Sequence, residues 1–193
     1  MLSKQDVSAV LSAYDQRSLT ISVLGSHSAL EVCRGAREEG LRNLAVCQKD
    51  RDKTYSRYYL GRTVKSTGRK VGTVDEVMLL DRFSDLISDD VRRQLKIKNA
   101  IFVPNRSFAV YVPYDDIENR FDVPIFGNRG MLRAEERTAG KNQYWLMQKA
   151  GIETPRRFNK PSEIDSLAIV KAPDAKRSYE RAFFFAASRS GAL

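Results

Sequence analysis

Leu19-Thr20-Ile21-Ser22-Val23-Leu24-Gly25-Ser26-His27-Ser28-Ala29-Leu30, followed by Cys33, Ala36, Gly40 and then Leu44-Ala45-Val46-Cys47, is the stretch on which the fold turns. Residues 19 to 24 are apolar and rich in β-branched side chains, which predicts a buried strand. Gly25-Ser26-His27-Ser28 reads as the turn after it. From Ala29 to Gly40 the apolar residues Leu30, Cys33 and Ala36 share one helical face, and Gly40 supplies the stop. Leu44 to Cys47 is a second strand, so strand, helix and strand follow one another within a short span.

The alternation continues outward. Val7, Val10, Leu11 and Tyr14 recur at helical spacing, which predicts an N-terminal helix on the core. Glu76-Val77-Met78-Leu79-Leu80 reads as a strand, with Ser84 capping a helix that carries Leu86, Ile87, Val91 and Leu95. Ala100-Ile101-Phe102-Val103-Pro104 is a further strand closed by proline. Short apolar strands alternating with amphipathic helices imply an α/β fold with a mostly parallel, Rossmann-like sheet of at least four strands. Asp50 to Gly72 is polar with weak periodicity and reads as a long loop with one extra hairpin.

After Phe126-Gly127-Asn128 the texture changes, and the boundary falls between residues 1–128 and 129–193. Residues 129 to 150 read as largely helical, and Gly151 to Pro155 ends that run. Leu167 to Lys171 and Ala182 to Ala187 are the last strand candidates, the latter with three phenylalanines and no evident partner. The second domain is expected to be cut short.

Composition narrows the classes. The 193 residues are 42% hydrophobic and 30% charged, which is globular material and not a disordered tail. Cys33 and Cys47 lack CxxC spacing and sit in apolar company, so buried free thiols in a reducing cytoplasm are expected. One histidine and two separated cysteines argue against structural zinc. Nothing approaches 18 consecutive apolar residues, and the first residues form no apolar leader core, so no membrane partner is expected. The net charge of +9 favours anionic partners. The basic residues are spread without a dense block, which argues against nucleic acid.

Ligands of a parallel sheet bind outside the carboxyl ends of its strands. Gly25 to Ser28 lies there, and His27 and the serines offer hydrogen bonds to a ligand. The alternative is that Ser28 only caps the helix and His27 is a surface residue. Asn105-Arg106-Ser107 occupies the same edge, with Ser107 either a ligand contact or a cap. Lys171 closes a strand, and the loop from Pro173 to Arg181 carries three cations, Lys176, Arg177 and Arg181. No dinucleotide fingerprint, Ser-His-Asp set or carboxylate pair stands out.

Four spaced runs combine into a familiar series: Leu24-Gly25-Ser26-His27-Ser28-Ala29-Leu30, Lys49-Asp50-Arg51-Asp52, Val103-Pro104-Asn105-Arg106-Ser107-Phe108 and Val123-Pro124-Ile125-Phe126-Gly127-Asn128-Arg129. From about residue 19 to residue 187 the chain resembles the archaeal formate-dependent ligase family of purine biosynthesis. That resemblance implies a Rossmann-like domain followed by an ATP-grasp domain. It also implies formylation of aminoimidazole carboxamide ribotide (AICAR) with ATP and formate in a cytoplasmic enzyme. His27 and Ser107 match positions that hold the aminoimidazole nucleotide. Lys141 lies in the segment similar to the helix and turn opening an ATP-grasp unit, and Lys171 matches a strand lysine that meets ATP phosphates.

Two departures accompany the resemblance. The loop after Lys171 contains no glycine where relatives place a glycine-rich flap. Relatives are also expected to continue well past Leu193, with the acidic residues that bind magnesium in that continuation. The isolated chain is therefore expected to be inactive, and a homo-oligomer is possible on the exposed strand. The competing expectations are a catalytically inactive nucleotide-binding module derived from such a ligase, and a basic nucleic-acid-binding domain.

Overall fold

The computed structural model describes residues 2–136, 139–171, 183–188 and 191–192. The chain divides into two compact units, Met1–Arg129 and Gly130–Leu193.

The first unit opens with α1 (Lys4–Ser12), started by a capping box between Ser3 and Asp6. Next come β1 (Thr20–Leu24), α2 (Ala29–Glu38) and β2 (Arg42–Gln48). A single π-helical turn, Thr54–Tyr58, leads into the short antiparallel hairpin of β3 (Arg62–Thr63) and β4 (Lys70–Val71). β5 (Glu76–Leu80), α3 (Asp89–Ile97), β6 (Ala100–Phe102), α4 (Arg106–Tyr111) and α5 (Tyr114–Asn119) complete it.

Four strands form one sheet in the order β5-β2-β1-β6, and each adjacent pair is parallel. The expected parallel sheet of at least four strands is present. Ile125 adds an isolated parallel bridge to Phe102, so residues 124 to 126 run beside β6 as a short continuation. Because all four strands point the same way, the segments after β1, β2, β5 and β6 gather at one edge.

Two buried groups hold this arrangement. Phe102, Phe108 and Phe121 form a fully buried triangle of rings with centroids 4.7 to 5.2 Å apart. Asn43, also buried, uses its amide nitrogen on the carbonyls of Cys33 and Thr73 and on the Asp75 carboxylate, at 2.9 to 3.2 Å. The Asn43 side-chain oxygen accepts from the Asp75 backbone at 3.0 Å. A buried polar group costs little only when it is satisfied in this way, and Asn43 joins β2, α2 and the entry to β5 in doing so. Cys33 and Cys47 are buried free thiols, and burial pushes both up to about 12.

Several local expectations are revised. α1 buries none of its residues. Tyr14 lies beyond the helix end, where it is buried and its hydroxyl donates to the Ala100 carbonyl at 3.1 Å. Ser84 caps no α-helix. Arg82 N donates to the Asp85 carboxylate, which tightens Phe83–Ile87 into a 3-10 turn. That turn buries Phe83 and Leu86 at its three-residue spacing, and Ser88 caps α3.

The second unit contains a 3-10 segment, Arg129–Glu135 (its first residue closing the first unit), and α6 (Gln143–Lys149). It is less helical than the sequence suggested. Asn142 accepts from the backbone of Tyr144 and Trp145, which begins a new helix rather than continuing one. β7 (Ala168–Lys171), β8 (Phe183–Ser188) and β9 (Gly191–Ala192) form an antiparallel sheet in that order. The phenylalanine-rich strand expected to lack a partner is thus the central strand of three. Among the described residues no helix is long and apolar enough to cross a membrane.

Asp122 offers a direct test of the packing between α3 and the segment before Ile125. Burial works against its ionisation, but hydrogen bonds from Lys96 at 2.6 Å and Arg92 at 2.8 Å outweigh this and hold the carboxyl below its ordinary value. A depressed carboxyl stabilises the fold above the unfolded value of about 3.9 and loses that effect as pH falls through the folded value. Wild type is therefore expected to exceed Asp122→Asn in urea stability near neutral pH, with the gap closing toward about pH 2. A gap independent of pH would contradict the ion-pair account.

Candidate functional site

β1 ends against β2 more closely than any side chain would allow. A Cβ on Gly25 would lie 2.4 Å from Cys47 Sγ and 3.2 Å from the Val46 carbonyl oxygen. Glycine is required at this position by packing, and the Gly25 amide then donates to the Val46 carbonyl at 2.6 Å. The turn that follows places His27 at φ 46, in the left-handed region that histidine tolerates better than most residues, with its side chain exposed. Ser28 stands at the N-cap position of α2 but makes no side-chain capping bond, so its hydroxyl does not serve the purely structural role considered for it.

Across the sheet edge, the cap of α4 is Asn105 and not Ser107. Phe108 N donates to Asn105 Oδ1 at 3.3 Å. The same side chain donates through Nδ2 to the carbonyls of Leu24 and Ser26, each at 2.9 Å. One carboxamide therefore ties the turn carrying His27 to the helix carrying Ser107. Ser107 is 8% exposed, and its hydroxyl has no hydrogen-bond partner among the described residues. The two sequence-predicted nucleotide residues thus occupy adjacent connections, after β1 and β6, which are neighbouring strands.

The connection after β2 completes the edge. Lys49 pairs with Asp81, which follows β5, at 2.5 Å. Asp50 takes φ 67, and Asp52 accepts from Ser56 at 2.5 Å. Between them Arg51 lies over two rings, 5.3 Å from the Phe83 centroid and 5.8 Å from that of Tyr111. Arg129, quoted in the last of the four runs, has a scaffold role. Its guanidinium donates to the carbonyls of Ile117, Phe121 and Val123 at 2.5 to 3.1 Å, closing the loop behind the phenylalanine triangle. Burial holds its pKa below the ordinary arginine value.

Asn105 and Arg51 are the residues on which sequence reasoning placed no weight of their own. An available signal for Asn105 was its position three residues before Phe108, the spacing of an N-cap. Nothing in sequence spacing announced the platform under Arg51, because its rings come from segments 32 and 60 residues away.

In the second unit Lys141 and Lys171 lie on separate elements. Lys141, before α6, stands over the Trp145 ring with Nζ 5.6 Å from the centroid. Lys171 is the last residue of β7 and is exposed. A cavity of about 600 Å³ is bordered by α6 and the segment after it, with Tyr144, Trp145, Thr154, Arg156 and Arg157 among its lining residues. Arg157 lies over the Tyr144 ring at 4.3 Å. The cation-bearing loop from Pro173 to Arg181 lies outside the described residues. Among the described residues no group of three His, Cys, Asp or Glu side chains is placed to hold a metal ion.

A parallel sheet whose carboxyl edge is crowded with hydrogen-bonding side chains defines an α/β protein of the kind that holds small ligands outside its strand ends. Residues 21–158 match the family model described as "Protein of unknown function (DUF1246)". The chain belongs to that family, and with it to the archaeal purine-biosynthesis ligase family that its four runs resemble.

Curated relatives named 5-formaminoimidazole-4-carboxamide-1-(beta)-D-ribofuranosyl 5'-monophosphate synthetase are similar over nearly all of the chain. The Methanopyrus kandleri protein is 40% identical over 176 residues, covering 91% of this chain and 45% of that protein. The Methanothermobacter thermautotrophicus protein is 36% identical over 187 residues, covering 97% and 47%. The Methanosphaera stadtmanae protein is 35% identical over 175 residues, covering 91% and 44%. The chain spans somewhat less than half the length of these relatives.

Two substitutions test the edge. Asn105→Ala removes a helix cap and two side-chain hydrogen bonds to carbonyls that keep only their backbone donors, and is expected to lower unfolding free energy by about 1–3 kcal/mol. Gly25→Ala is expected to cost a similar ~1–3 kcal/mol through overpacking. Adding Cys47→Ala should recover part of that loss, so the double variant is more stable than the two single losses summed. Strict additivity in urea denaturation would contradict the contact.

Proposed function

We propose that the chain serves the ATP- and formate-dependent formylation of AICAR to its formyl derivative in purine (IMP) biosynthesis. In this reading the carboxyl edge of the parallel sheet holds the aminoimidazole nucleotide. The observation that carries it is the tie between the turn bearing His27 and the helix bearing Ser107, in a chain similar over 91% or more of its length to proteins named for that synthesis. His27 offers a ring nitrogen from an exposed position, and Ser107 offers a hydroxyl that no described residue engages. Both are suited to hydrogen-bond a ligand and hold its reacting amine in place.

The second unit is proposed to begin an ATP-grasp domain, with Lys141 and Lys171 contributing positive charge toward ATP. ATP, when bound, supplies the phosphoryl group that activates formate for attack. Lysines near that centre would offset the charge that develops there. Magnesium is proposed to accompany ATP. The described residues carry no group of three His, Cys, Asp or Glu side chains placed to hold it.

Calorimetry at physiological salt decides the nucleotide reading. AICAR is expected to bind with heat that saturates at one site, and His27→Ala and Ser107→Ala are each expected to weaken it by about tenfold, the effect of losing one hydrogen bond to a ligand. Preference for duplex DNA, with affinity falling steeply with salt, would replace this reading with the charge-driven one.

A further inference from the structure

Arg51 stands out among the basic residues of the carboxyl edge. Its guanidinium lies across the Phe83 and Tyr111 rings, whose centroids are 4.8 Å apart, and Nη1 donates to the Tyr111 hydroxyl at 3.1 Å. The three groups come from three connections: after β2, after β5, and the end of α4. The rings limit the freedom of a long side chain, yet they use only one of its N–H groups. Among the described residues nothing else accepts from the guanidinium, and the residue is exposed.

Charge compensation on this rim passes Arg51 by. Lys49 is matched to Asp81, and Asp52 is engaged by Ser56. No carboxylate among the described residues forms an ion pair with Arg51. An arginine held on aromatic rings without a carboxylate is suited to a multidentate oxyanion such as a phosphate, whose oxygens its planar fork can meet in pairs.

The position connects Arg51 to the nucleotide edge. Ser107 and Tyr111 are four residues apart in α4, and residues at that spacing share one face of a helix. The side chain that meets Arg51 therefore leaves α4 one helical turn from Ser107 on the same face, and Ser107 is joined through Asn105 to the turn of His27.

We propose that Arg51 is a specificity-determining residue that reads the phosphomonoester of the ligand held at this edge. The proposal rests on the reading that the edge binds a phosphoribosyl nucleotide, and names the group that selects the phosphorylated form. Lysine at this position carries the charge but not the flat fork or the stacking, so it replaces arginine only in part.

The experiment measures binding of three probes to wild type, Arg51→Ala and Arg51→Lys: AICAR, its unphosphorylated riboside, and ribose 5-phosphate. Thermal melting confirms that each variant is folded. Wild type is expected to bind AICAR at least tenfold more tightly than the riboside. Arg51→Ala should weaken AICAR by about 10- to 100-fold while leaving the riboside unchanged, and Arg51→Lys should fall between. Equal weakening of AICAR and riboside would mean a structural role and overturn the proposal, as would unchanged AICAR affinity in Arg51→Ala. Arginine-dependent binding of ribose 5-phosphate without binding of AICAR would sustain the phosphate site and overturn the nucleotide reading. Wild type that binds none of the three probes would overturn both.

Discussion

The Asn105 carboxamide is the interaction on which the edge of this protein depends. It caps α4, and it donates to two carbonyls of the neighbouring turn at 2.9 Å. Both carbonyls also accept a backbone amide, Leu24 from Ser26 and Ser26 from Ala29, so the Asn105 side chain adds a second donor to each and fastens the turn to α4. A shorter or apolar residue at position 105 would leave the turn after β1 and the start of α4 as independent loops. With asparagine there, His27 and Ser107 are carried on one connected piece of backbone.

That piece is set on a stiff base. The Phe102, Phe108 and Phe121 rings lie beneath α4, and Arg129 binds three carbonyls of the loop that covers them. On the other side, Gly25 lets β1 approach Cys47 so closely that the two strand ends behave as one layer. Asn43 does the same work deeper in the unit, where its amide meets α2 and the approach to β5. Stability and site geometry therefore share residues. The polar side chains that order the unit, Asn105 and Asn43, are bonded to backbone carbonyls.

The second unit is organised differently. Its sheet is antiparallel and small, with Ile169 and Phe185 facing each other across β7 and β8 and each more than half exposed. Four of its cations lie over aromatic rings: Lys141 and Lys149 on Trp145, Arg157 on Tyr144, and Arg156, which also pairs with Asp165 at 2.8 Å, on Phe158. Such contacts contribute modestly at exposed positions, on the order of 0.5–1 kcal/mol each.

The order of strands and helices in the first unit was legible in the linear chain, because β-branched runs and helical spacing report which residues must leave water. The four-strand parallel sheet followed from that alternation and the burial of the cysteines from their apolar neighbours, whereas the ligand roles of His27 and Ser107 were implied by the family resemblance. The boundaries of α1, the capping residue of α3 and the break before α6 were not legible. Each was decided by a local competition between caps and turns that differ by about 1 kcal/mol. The site divides in the same way. Sequence placed His27 and Ser107 at strand ends, but only the tertiary structure decided that Asn105 joins them, that Arg129 is scaffold, and that Arg51 is seated on Phe83 and Tyr111. Those roles arise from contacts between residues 6 to 81 positions apart, and such contacts come into being only when the chain folds back on itself.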